Sequence, residues 1–160
     1  MIAPFVHTLA VAGALALAAP ALAFDANSPA PVNLEPSGVT LKGYDPVAYF
    51  ADGAPAPGDP AITAEFGGAT YQFVSAENRD TFVADPEAYA PAYGGFCAMA
   101  MSLGYKVDID PAAWKIVDGT LYVQASSRAS EVWSKDIPGN IAKADDLWPE
   151  VKDKTPAELQ

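Results

Sequence analysis

The chain carries one cysteine and one histidine in 160 residues, and positive charge is scarce, with 9 lysines and arginines against 20 aspartates and glutamates. A single thiol cannot close a disulfide within one copy of the chain, and a zinc finger-type site needs four cysteine or histidine ligands, so both frameworks are excluded. The formal charge of -11, with no run of lysine or arginine as a local exception, argues against nucleic acid as a partner and disfavours anionic membrane surfaces.

Long apolar runs are also lacking. Leu9 to Ala19 is rich in alanine and leucine but too short to span a bilayer, and Ala21-Leu22-Ala23 offers the small-x-small pattern read by signal peptidase. Residues 1–23 therefore read as a secretory signal cleaved after Ala23, although Met1 to Thr8 holds no lysine or arginine. On this reading the mature protein is periplasmic or secreted, a single domain containing no transmembrane span. His7 leaves with the leader, so Ser-His-Asp and Cys-His catalysis and histidine metal ligation are unavailable within one mature chain.

Punctuation organises the remainder. Proline, alanine and asparagine dominate Asp25 to Ser37, which predicts an extended tether over residues 24–38. The domain is expected over residues 39–150, with a tail at 151–160. Gly67-Gly68 between Ile62–Phe66 and Ala69–Val74 signals a hairpin with Tyr71 and Phe73 on one face. Asp118-Gly119 between Trp114–Val117 and Leu121–Val123 signals a second, with type I′ geometry.

Ser75 is an expected N-cap for a helix to about Ala84, with Phe82 and Val83 inward, and Asp85-Pro86 starts a further turn through Tyr89. Ser127–Lys135 and Ile141–Leu147 read as two closing helices separated by Pro138-Gly139, anchored by Trp133 and Trp148. The sum predicts a small α+β domain of two antiparallel β-hairpins packed against several short helices. No internal repeat and no heptad pattern is read from the sequence.

Asp45-Pro46-Val47-Ala48-Tyr49-Phe50, Thr70-Tyr71-Gln72-Phe73-Val74-Ser75, Asn78, Phe82, Asp85-Pro86-Glu87 and Tyr89 together resemble the YHS domain family. The stretch Tyr93-Gly94-Gly95-Phe96-Cys97-Ala98, with Trp114 and Ile137-Pro138-Gly139-Asn140, resembles its exported bacterial branch; the likeness covers roughly Leu41 to Trp148. The resemblance implies metal handling, because YHS domains are similar to the cysteine-dependent TRASH domains of heavy-metal sensors and transporters. Here the three family cysteine positions fall on Ala48, Val74 and Asn78, none of which is a thiol.

A different sulfur set stands close by. Cys97, Met99 and Met101 place one thiol and two thioethers within five residues, and soft donors of this kind favour Cu(I). A helix from Cys97 to near Gly104 would put Cys97 and Met101 on one face and turn Met99 away, whereas an extended segment would align all three. The same residues also suit core packing.

Asp108-x-Asp110 is a further candidate site, set against the expectation that Asp110-Pro111 and Asp45-Pro46 are N-caps with proline at the first helical position. Tyr44, Tyr49, Tyr93 and Tyr105 could line a pocket or fill the core.

Three functions follow. The first is an exported copper-handling or sequestering protein, with Cys97 and Met101 as ligands, Asp45 or Tyr93 nearby, and a metal-trafficking protein as partner. The second is a degenerate YHS module that binds a protein or small molecule without metal. The third, a thiol oxidoreductase, lacks a resolving cysteine, and Lys106 is the nearest base in sequence. Two copies could share a metal through paired Cys97 thiolates in a homodimer.

Overall fold

The computed structural model describes residues 24–160, so the leader reading of residues 1–23 lies outside the described residues. The first hairpin pairs β1 (Asp59–Phe66) antiparallel with β2 (Ala69–Phe73). Its turn residues Gly67 and Gly68 both adopt positive φ, 59° and 81°, which glycine reaches without a Cβ clash. Tyr71 and Phe73 face inward as their alternation predicts.

Ser75 caps α2 (Ala76–Ala84), its hydroxyl accepting from the Asn78 amide at 3.1 Å. Phe82 on this helix is fully buried against Tyr71 and Phe73. Val83, expected beside it, is 58% exposed, because consecutive helical side chains diverge by about 100° and only one of the two can face the hairpin. The next turn is α3 (Pro86–Tyr89).

The second hairpin pairs β3 (Asp110–Val117) with β4 (Thr120–Gln124). Asp118 and Gly119 both have positive φ, 49° and 79°, as a type I′ turn demands. Asp110-Pro111 opens β3 rather than a helix. Asp110 Oδ1 accepts from the Ala112 amide at 2.9 Å, and a proline is tolerated near a strand start on an unpaired edge as readily as at the first turn of a helix.

Two helices close the chain. Ser126 caps α5 (Ser127–Trp133), and α6 (Ile137–Val151) is longer than expected at both ends. Pro138-Gly139 does not separate helices but lies in the first turn of α6, where the missing proline N–H costs nothing and Asp136 accepts from the Gly139 amide at 3.0 Å. Trp133 is fully buried, and Trp148 packs partly buried against its cluster. The result is a single small α+β domain with two antiparallel two-stranded sheets.

The backbone contains the repeat that sequence reading misses. Leu41, Lys42 and Gly43 form a turn with φ of 51°, 52° and 75°, followed by α1 (Ala48–Ala51); Tyr93, Gly94 and Gly95 form another with φ of 53°, 60° and 76°, followed by α4 (Ala98–Met101). Each short helix leads into a hairpin and then two further helices. The hairpins match in register, including their irregularity: Asp59 pairs with Phe73 and Thr63 with Gln72, as Asp110 pairs with Gln124 and Trp114 with Val123.

The caps match too. Ser75 corresponds to Ser126, while Asp85 (φ -153°, ψ 77°) corresponds to Asp136 (φ -151°, ψ 71°). Tyr71 and Tyr122 are both buried, as are Phe82 and Trp133. The chain is thus one helix–hairpin–two-helix unit built twice. Identity survives at the Asp59-Pro60-Ala61 and Asp110-Pro111-Ala112 strand openings, at Gly68 and Gly119, at the buried tyrosines and at the two caps, while the other buried positions carry different side chains that fill the volume.

The segment expected as a tether docks onto this pair. Val32 and Leu34 pack on the first core, Asn33 is buried and donates its amide to Gly94 O at 2.8 Å, and a Cβ at Gly94 would collide with the Pro31 carbonyl. The far end docks as well: Val151 is buried, and the Ala157 amide donates to Ala26 O at 2.9 Å. Among the described residues no helix is long and apolar enough to cross a membrane.

Candidate functional site

Asp45 is fully buried and saturated with donors. Oδ1 accepts from the Val47 and Ala48 amides at 2.8 and 3.3 Å, turning the chain toward α1, but the helix begins at Ala48 with Val47 as its N-cap, so Asp45-Pro46 forms the preceding turn rather than the expected cap and first helical residue. Oδ2 reaches across to the β2–α2 junction, accepting from the Val74 amide at 2.9 Å and the Asn78 side-chain amide at 2.7 Å. Ala48, Val74 and Asn78 are the three positions at which the YHS resemblance places cysteines. They converge in space, but on a carboxylate that four N–H groups already engage.

Cys97 occupies the corresponding place in the second copy of the unit. Its sulfur accepts from the Ala100 amide at 3.5 Å, as Asp45 accepts from Ala48. The thiol donates to Gln124 Oε1 at 3.5 Å, and that oxygen also accepts from the Met99 amide at 3.0 Å. Gln124 stands where the first copy has Phe73, so a buried polar acceptor answers the thiol.

Cys97 is the N-cap of the four-residue helix α4 rather than its first residue, with φ -58° and ψ 117°, and its carbonyl accepts from the Met101 amide at 2.9 Å. Cys97 is 1% exposed in the first core, Met101 is 0% exposed in the second, and Met99 packs partly buried against both. Among the described residues no three histidine, cysteine or carboxylate side chains are grouped to hold a metal ion.

The acidic pair is divided. Asp108 forms an ion pair with Lys42 at 2.7 Å and accepts from Asn33 Nδ2 at 3.1 Å, while Asp110 is exposed and caps its own turn. The tyrosines make separate contacts. Tyr49 donates to Pro111 O at 2.9 Å and Tyr93 to Asp145 Oδ1 at 2.9 Å; burial pushes both phenols above their ordinary range, and the Asp145 carboxylate adds to the effect at Tyr93. Tyr44 is half-buried and Tyr105 is 42% exposed.

Lys106, considered as a base for Cys97, serves elsewhere. It is 2% exposed, with Nζ 5.1 Å from the Phe96 ring centre, donating to Ala30 O at 3.1 Å, Lys154 O at 2.7 Å and Lys152 O. Burial lowers its pKa, opposed by Asp153. It clips the docked N-terminal segment to the carbonyl end of α6, a role its position in the sequence does not announce.

An open groove of about 480 Å³ lies between the second hairpin and the helix that follows it. Ala112, Ala113 and Trp114 of β3 form one wall. Ser127, Ser130, Glu131 and Ser134 form the other, sharing one face of α5 at helical spacing. Sequence reading did not find this site; the serine stripe on a helix otherwise anchored by Trp133 was the available signal. No family model, curated protein or solved structure matches the chain.

Proposed function

We propose that the mature protein is an exported, metal-free binding domain, a doubled YHS-like unit whose ligand is taken up in the groove between β3 and α5. The observation that carries this reading is the Asp45 carboxylate, which occupies the convergence of the three family cysteine positions and is closed by four N–H donors. A buried carboxylate so engaged stabilises the junction of α1, β2 and α2, and has no free lone pair directed at an ion. The relocated sulfur set gives a copper reading less support, since Cys97 caps α4 and Met101 lies in the other core.

The test is thermal melting of residues 24–160 with and without excess Cu(I), Zn²⁺ or a chelator under reducing conditions. A ligand that binds the native state at a hundred times its Kd adds about 2.7 kcal/mol of stability. The proposal expects no specific increase in Tm with any metal. A saturable increase with Cu(I) that vanishes in Cys97→Ala would replace it with copper handling.

A further inference from the structure

The two copies of the unit pack their hairpins on their helices with the same geometry and different chemistry. In the first, the Phe73 and Phe82 ring centres are 5.2 Å apart, and Tyr71 lies against Phe82 at 4.7 Å with 37° between the planes. The second keeps the tyrosine contact, with Tyr122 against Trp133 at 5.2 Å and 38°, so β4 sits on α5 as β2 sits on α2. Gln124 and Trp133 take the places of Phe73 and Phe82. A pair of apolar rings has become an amide beside an indole, each 0% exposed.

Both of these side chains carry an N–H group with no acceptor. Gln124 Nε2 and Trp133 Nε1 are two of the three buried side-chain polar atoms that lack a hydrogen-bond partner among the described residues. The orientation of the amide is fixed, because Oε1 accepts from the Met99 backbone amide at 3.0 Å and a turned amide would set its nitrogen against that N–H. The Cys97 thiol donates to the same oxygen at 3.5 Å. The protons on Nε2 therefore need an acceptor elsewhere.

The strong acceptor that serves the matching junction of the first unit is missing from the second. Asp45 collects the Val74 and Asn78 donors there, whereas Cys97 stands at its place and Ala129 at that of Asn78. An N–H group taken out of water keeps its desolvation penalty until an acceptor replaces the one it lost, which is why buried donors are so rarely left unpaired. Both donors are neutral and the chain carries a formal charge of -11, so a neutral acceptor suits this core better than an anion buried without a cation. Water is the smallest such acceptor, and its two lone pairs match two N–H groups.

We infer that the second unit holds an internal water molecule that accepts from both Gln124 Nε2 and Trp133 Nε1. This site lies in the packed interior, apart from the groove between β3 and α5, and does not depend on what that groove binds. It makes the two units unequal: the first closes on its own carboxylate, and the second is completed by solvent.

The experiment is water-selective NOESY and ROESY spectroscopy of ¹⁵N-labelled residues 24–160. The expected result is cross-peaks from water to the Trp133 indole proton and to the Gln124 side-chain amide protons, opposite in sign between the two spectra, which separates a bound water from proton exchange. Trp133→Phe, which installs the residue of the first unit, should remove most of the Gln124 cross-peak, and Gln124→Leu should do the same to the indole. The parent spectra alone decide the question if neither variant folds. Cross-peaks at only one of the two groups, at neither, or with the signs of exchange at both would overturn the inference.

Discussion

The Asn78 side chain donates to Asp45 Oδ2 at 2.7 Å, joining residues 33 apart and fastening the start of α2 to the turn before α1. Ser75 orients this contact by capping the same helix through the Asn78 amide. Removing the donor in Asn78→Ala should cost about 1.5–3 kcal/mol, the range for a hydrogen bond to a charged group. Asp45→Asn should cost more, because its amide nitrogen would oppose N–H groups that now meet an acceptor. Urea denaturation measures both; an Asp45→Asn variant as stable as the parent would contradict the described node.

Cys97 should behave as a buried cap. Cys97→Ala removes the sulfur that accepts from Ala100 and leaves Gln124 without the thiol donor, for a loss of about 1 kcal/mol. A thiol reagent such as Ellman's should react with the native protein only as fast as it opens, accelerating through the urea transition. Prompt stoichiometric reaction of the folded protein would show that the sulfur is accessible.

Lys106 should hold the two ends of the chain together. Lys106→Met leaves the carbonyls of Ala30, Lys152 and Lys154 without their common donor, and hydrogen exchange should accelerate at the Ala157 amide, which bonds to Ala26 O. Unchanged protection at Ala157 would mean that apolar packing alone docks these segments.

Alkaline stability follows from buried phenols. Burial pushes Tyr71 up to about 12 and raises Tyr49, Tyr93 and Tyr122 as well. A tyrosine in the unfolded chain ionises near pH 10, so between pH 10 and 12 the native state binds more protons than the unfolded one. Stability from these groups is therefore complete below pH 10 and falls as pH rises through that window. Ultraviolet titration should show a late phenolate step coincident with loss of structure; all 7 tyrosines ionising together near pH 10 in a folded protein would contradict it.

What could be read without coordinates was local. Gly67-Gly68, Asp118-Gly119 and the Ser75 cap are legible because each acts on its own neighbours through φ restrictions or a hydroxyl within reach of the next amides. Asp110-Pro111 and Pro138-Gly139 misled because the same dipeptides suit a strand opening, a helix first turn or a break, and packing decides among them. The repeat escaped because Phe73 against Gln124 and Phe82 against Trp133 preserve burial rather than identity. The second half of the Asp45 node and the Lys106 clip depend on partners dozens of residues away, while pairing Cys97 with Met101 presupposed a helix that starts one residue later.

The central claim is tested most directly by titrating reduced residues 24–160 with Cu(I) against a coloured chelator, with Cys97→Ala and Met101→Leu in parallel. The account predicts that the chelator keeps the metal and that the three proteins behave alike. One-to-one competition by the parent, lost in Cys97→Ala, would contradict it and make the buried sulfurs a copper site.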